Sequence, residues 1–424
     1  MTQPHTRRFA AVIAGTALLA LAACSNSDTT DTAAAGPDPM SSPSMTPSQS
    51  PSASAGDPFA LTRTAAGHMP MTADVLAGGF VSATHMSGQV GSDASNLRSG
   101  LTYLLQEHVY LAGIAVDTAY VAGADSQEFT AAAAALDTNS VDLSKTVASV
   151  AGKAKGRAFL QSWRSHITDF VNYAVAAKSG DEQGKTDALG NLMAYSKASG
   201  QFFDDITGGA LPAKAAQAEF VMHIKTLAAA IDAFAAGDGK GFELLKMAAD
   251  HMAGTAQVLA TGIDEAAGIK GDPNDDAANL RAALTDKLTA HVYLAGLGVF
   301  TAYTAGADSP EFAAAGAALD ENSVEISQAV GSLAGSKQVQ ASFLQSWRSH
   351  IKDFVSYAVA DATGDEAGKM AAQDNLQAYA EASGTTFDQL SGGALPAAAV
   401  QADFEHHIMT LSAAIDALAA ALVS

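Results

Sequence analysis

The chain has a single cysteine, Cys24, among its 424 residues. An internal disulfide is therefore impossible, and a thiolate metal cage of the zinc-ribbon kind is excluded. Basic residues are also scarce. Twenty-three Lys and Arg stand against 44 Asp and Glu, a formal charge of −21. This balance argues against nucleic acid as a partner, because phosphate binding needs clustered cations. Adhesion of the protein surface to anionic lipid is disfavoured for the same reason. Long β-branched runs are missing, whereas Ala, Leu, Gln, Glu and Lys are abundant, which points to helix. Enzyme signatures are missing too: no Gly-x-Ser-x-Gly, no His-Glu-x-x-His, no phosphate loop, no dinucleotide fingerprint and no Cys-x-x-Cys-His for attached haem. The paired Glu-x-x-His of di-iron bundles is absent as well.

The N-terminus carries Arg7 and Arg8 and then an apolar run from Phe9 to Ala23. This is the layout of an export signal, shorter than a bilayer span requires. It ends in Leu21-Ala22-Ala23-Cys24, which resembles the lipobox of bacterial lipoproteins. The resemblance implies cleavage before Cys24, lipid on its sulfur, and an extracytoplasmic protein anchored to the cell membrane. Any metal chemistry then falls to His, Met, Asp, Glu or Tyr. Residues 24–58 are rich in Ser, Thr, Pro, Ala and Gly and nearly lack large apolar side chains. Such a segment cannot bury enough surface to fold and reads as a disordered tether.

The remainder is a tandem duplication. HVYLAG begins at His108 and again at His291, 183 residues on, and Asn96-Leu97-Arg98 matches Asn279-Leu280-Arg281. After one inserted residue the offset becomes 184: FLQSWRSHI spans 159–167 and 343–351, and His223 matches His407. The units run from 59 to 238 and from 242 to 424.

Each unit reads as helical. Phe159, Trp163, His166, Phe170 and Tyr173 step by four and three, as do Leu97, Leu101, Leu104, His108, Leu111 and Ala115. Phe220, His223, Leu227, Ala230 and Phe234 form a third stripe, and Leu244, Ala248, His251, Thr255 and Val258 a fourth. Pro70 is expected to break or kink the helix around His68. The expected fold is all-α: two tandem up-down bundles, each of about four main helices with one or two accessory ones near 128–150 and 185–206.

Eight histidines lie on these apolar stripes: His68, His108, His166 and His223, then His251, His291, His350 and His407. Each is near the middle of its helix, so four imidazoles per unit are expected to meet in one layer. Neutral imidazole needs both a donor and an acceptor. A shared metal ion satisfies several rings at once, copper first, with zinc, iron or haem behind it. Asp169 and Asp353 follow a histidine by three, and Glu219 and Asp403 precede one by four, positions suited to orienting a ligand ring or completing coordination. Met69 and Met252 directly follow a histidine, and thioether beside imidazole suits copper. The alternative is a set of structural histidines within a polar network of Tyr110, Tyr173 and Asp169, in a surface interaction or scaffold protein. A redox enzyme built on the same histidines is a third reading. Which bundle takes the His251 helix stays open, as does any protein partner.

The repeat resembles a group of secreted bacterial helical proteins with HV-x-LAG and W-x-x-HI motifs, often labelled copper amine oxidase. The resemblance rests on HVYLAG at His108 and His291 and WRSHI at Trp163 and Trp347. The β-rich copper amine oxidases make a quinone from Tyr in Thr-x-x-Asn-Tyr-[Asp/Glu]. The nearest text is Asp169-Phe170-Val171-Asn172-Tyr173-Ala174, without the threonine or the acid, so no quinone is expected.

Overall fold

A computed structural model describes residues 56–423. The segments expected to be an export signal with Cys24 and a tether lie outside the described residues up to 55, but Asp57 and Pro58, placed in the tether from sequence, cap and start α1. Among the described residues there are twelve α-helices and no strand, the all-α class expected. They are α1 (Pro58–Thr84), α2 (Asp93–Val121), α3 (Gln127–Ala151), α4 (Lys153–Ser179), α5 (Glu182–Ile206), α6 (Ala213–Ala236), α7 (Lys240–Ala267), α8 (Asp276–Ala305), α9 (Pro310–Leu333), α10 (Lys337–Thr363), α11 (Glu366–Leu390) and α12 (Ala397–Leu422). The segments expected to be accessory, α3 and α5 with their counterparts α9 and α11, are full-length helices. No helix among the described residues is long and apolar enough to cross a membrane.

Local chemistry sets the helix ends. Ser126 and Ser309 accept from the third amide of α3 and α9, and Asp57 accepts from Phe59 and Ala60. Gly180, Gly237 and Gly364 close α4, α6 and α10 in the left-handed region, where a side chain would strain the backbone. Pro70 does not break α1, which runs unbroken through it. One lost backbone bond is outweighed because α1 is buried along its length against α8 and α12.

The two repeats exchange their first helices. Helices α2 to α6 pack in chain order, and α7 of the second repeat completes their bundle against α2 and α6. In the mirror arrangement, α1 of the first repeat packs against α8 and α12. Bundle A is thus α2–α7, and bundle B is α8–α12 with α1. Matched glycines permit the close approach. A side chain on Gly262 of α7 would lie 2.5 Å from Leu211 Cβ, and the matching Gly79 of α1 faces Leu395. Of the expected α7 stripe, Ala248 and Thr255 are buried, whereas Leu244, His251 and Val258 are only half-buried, because the face turned inward is centred on Leu245, Ala249, Met252, Ala256 and Leu259.

The join is polar as well as apolar. Glu107 of α2, fully buried, accepts from Arg63 of α1 (3.0 Å), Asn139 (2.8 Å), Tyr103 (2.5 Å) and Tyr293 of the other repeat (2.9 Å). Arg63 also reaches Asp142 of α3 at 2.6 Å. In the second repeat Lys246, equivalent to Arg63, pairs with Asp250 and Glu325 at 2.7 Å each. Tyr110 stacks on Tyr293 at 5.3 Å across the join. Arg98 donates to Asn279 and to the Pro273 carbonyl in the acidic loop before α8, and Arg281 reaches Asn96 and pairs with Asp74 of α1 at 3.2 Å. The exchanged helices are therefore tied back to their own repeats through buried charge.

Candidate metal centre

Three of the expected histidines meet in each bundle. His108 on α2, His166 on α4 and His223 on α6 offer nitrogens that all lie within 4.8 Å of one another, as do His291, His350 and His407 on α8, α10 and α12. All six rings are buried, at 0–7% exposure. The Nε2 atoms of His108 and His166 are 3.4 Å apart, and those of His291 and His350 3.3 Å. The helical stripes explain the meeting: mid-helix positions of neighbouring helices share one level of the bundle.

The remaining two histidines do not join the triad of their own repeat. The helix exchange carries His68 on α1 into bundle B and His251 on α7 into bundle A. His251 Nε2 lies 3.4 Å from Glu219 and 3.3 Å from its backbone carbonyl. His68 Nε2 lies 3.3 Å from Asp403. Glu219 and Asp403 thus each hold a histidine, but the one delivered by the other repeat. Asp169 and Asp353 turn outward to Asn191 and Asn375, both at 3.3 Å, and hold no triad ring. Met69 and Met252 are buried in the apolar core.

The triads sit in aromatic boxes. Tyr195 stacks on His166 at 4.5 Å, Trp163 packs on His108 at 4.7 Å and on His166 at 4.5 Å, and Phe170 meets His223 edge-on at 5.6 Å. Tyr379, Trp347 and Phe354 repeat the box in bundle B. The polar network considered from sequence lies elsewhere: Tyr173 donates to Asp232, and Tyr110 is at the join. Trp163 is core, and Arg164 forms a two-pronged pair with Asp137 at 2.7 and 2.8 Å, as Arg348 does with Asp320.

Burial leaves the rings short of partners. Neither nitrogen of His223 or His407 is hydrogen-bonded, and Nδ1 of His108 and His291 is unbonded too. Burial first, and then neighbouring histidines, push every triad pKa down. His108 and His291 fall well below the usual imidazole value, with the other two triad rings adding to the shift. His166 and His350 fall likewise through burial and the third ring, against a small opposing pull from the Trp163 and Trp347 backbone. His223, with His251 nearby, is pushed to about 3, and His407, beside His68 and His406, to about 4. The rings are neutral at pH 7, the state in which imidazole is a ligand.

The spacing suits a small ion. Two nitrogens about 2.0–2.1 Å from a tetrahedral metal are roughly 3.3–3.4 Å apart. The one close nitrogen pair in each triad, at 3.4 and 3.3 Å, has that spacing, and the third ring's nitrogen lies within 4.8 Å of both. One residue that the stripes did not flag also enters: His406 faces His68 at 4.1 Å between ring centres. Its neighbour His407 takes the inward position, which places His406 off the apolar stripe.

No family model, curated protein or solved structure matches this chain.

Proposed function

We propose that the protein is a metal-binding module that holds one ion in each bundle, on His108, His166 and His223 and on His291, His350 and His407, with copper the favoured metal. The observation that carries this reading is the pair of Nε2 contacts at 3.3 and 3.4 Å among neutral, buried rings with unbonded nitrogens. A purely structural histidine would be expected to have found a carbonyl or carboxylate partner. Only His166 and His350 feel a backbone carbonyl, that of Trp163 or Trp347; both nitrogens of His223 and His407 and Nδ1 of His108 and His291 have none, and the same arrangement occurs twice. An ion is the economical partner for three neutral imidazoles gathered in one buried place. Three protein ligands leave room for an exchangeable one, so binding and release are both accessible.

Copper ranks ahead of zinc because imidazole donors bind it most tightly among divalent first-row metals. The role is storage, buffering or delivery of the ion rather than turnover. Lining rings of Trp, Tyr and Phe exclude water, and the triads carry no general base besides the ligands themselves. The setting is outside the cytoplasm, on a lipid anchor at Cys24, supported by the Leu-Ala-Ala-Cys motif and the tether that follows it.

Copper(II) electron paramagnetic resonance tests the site. The expected spectrum shows coupling to several equivalent nitrogens in the intact protein and loses it in the His166→Ala, His350→Ala variant. A spectrum of aqueous or surface-bound copper in both proteins overturns the reading. Anchoring is tested separately: Cys24→Ala should move the protein from the membrane fraction to the medium.

A further inference from the structure

The two triads are nearly superimposable in their inner contacts but differ in what lies outside them. In bundle B, His68 sits between the triad and the surface. It is 8% exposed, neither ring nitrogen makes a hydrogen bond, and its Nε2 lies 3.3 Å from an Asp403 oxygen. On its outer side the half-exposed His406 ring is 4.1 Å away. His68 is also near enough to His407, a triad ring, to help hold that ring's pKa down. A line of imidazoles with one carboxylate therefore runs from solvent to the buried centre. In bundle A the matching positions are His251, Glu219 and, 184 residues before His406, Met222. Met222 is 48% exposed and cannot act as a nitrogen donor.

We propose that His406, His68 and Asp403 form a loading station for the bundle B triad, a transient site for a divalent cation on its way inward, and that bundle A lacks its outer member. This rests on the metal-binding reading of the triads. The ligand chemistry differs accordingly. Two imidazoles and a carboxylate suit copper(II) or zinc(II), whereas thioether, imidazole and carboxylate suit softer copper(I). The helix exchange is what builds the station, since His68 comes from the first repeat and His406 and Asp403 from the second. One chain thus presents two similar inner sites with different outer chemistry.

The only two tryptophans make the test selective, because each touches one triad: Trp163 packs on His108 and Trp347 on His291, at 4.7 and 4.8 Å. In a Trp163→Phe background, quenching of Trp347 by copper(II) reports bundle B alone. In a Trp347→Phe background, Trp163 reports bundle A. Stopped-flow mixing with copper(II) is expected to show His406→Ala slowing the bundle B phase at least tenfold while its final amplitude is reached. The bundle A phase should be untouched by that change and accelerated several-fold by Met222→His. Equal bundle B rates with and without His406→Ala overturn the loading station while leaving the triads standing. Absence of saturable quenching in both parent backgrounds overturns the metal-binding reading itself, and the station with it.

Discussion

Replacing His223 by leucine turns the burial of one imidazole into a measurable pH effect. His223 is 2% exposed and its pKa is held at about 3, chiefly by burial. Unfolded, it titrates near 6.5. Between these values the unfolded chain holds a proton that the folded chain does not. Stability therefore falls as pH drops through 6.5, and the fall continues to about 3. Between pH 7 and pH 5 the loss from this one ring is about 2 kcal/mol. Other groups titrate as well. Asp286, pushed up to about 7 by burial, acts with the opposite sign, because its folded form takes up a proton first as pH falls. Groups away from the triad are common to both proteins and cancel in the difference, and His108 and His166, held down chiefly by burial, stay neutral in both. Urea unfolding of the metal-free protein and of His223→Leu, at pH 7 and pH 5, should show the difference between them shifting by about 2 kcal/mol in the variant's favour at the lower pH. A difference that stays constant to within ~0.5 kcal/mol would refute the claim that the ring is buried and neutral.

Metal should oppose that acid sensitivity, since it binds the neutral rings: at 100 times its dissociation constant each site adds about 2.7 kcal/mol, read as a rise in melting temperature that the His166→Ala, His350→Ala variant lacks. Arg63→Leu strips the fully buried Glu107 of its cation and is expected to cost about 3–5 kcal/mol in chemical denaturation. Gly262→Ala would gain about 1 kcal/mol in an isolated helix, but the new methyl meets Leu211 Cβ at 2.5 Å, so net destabilisation of about 1–3 kcal/mol is expected in the same assay.

The helical class was legible because stripes such as Phe159, Trp163, His166, Phe170 and Tyr173 repeat the helix period, and all five are buried on α4. The inward positions of His108, His166 and His223 followed from the same arithmetic. The helix exchange was not legible, because periodicity says which face of α1 is buried and nothing about which helices bury it. Its consequence, His68 beside Asp403 and His251 beside Glu219, was hidden for that reason. Pro70 was misleading because local propensity yields to tertiary packing when a long helix is buried along its length. His406 escaped notice because it lies outside the apolar stripe and is drawn into play only by a helix from the other repeat.

The central claim is that each bundle holds one ion on three histidines. Its most direct test is metal content. The protein, prepared without a histidine tag, would be loaded with copper or zinc, desalted, and analysed by mass spectrometry for metal per chain beside the His166→Ala, His350→Ala variant. The account predicts two ions per chain in the intact protein and near zero in the variant. No retained metal in the intact protein, with the variant merely less stable, would contradict it and make the repeated Trp-Arg-Ser-His a packing motif.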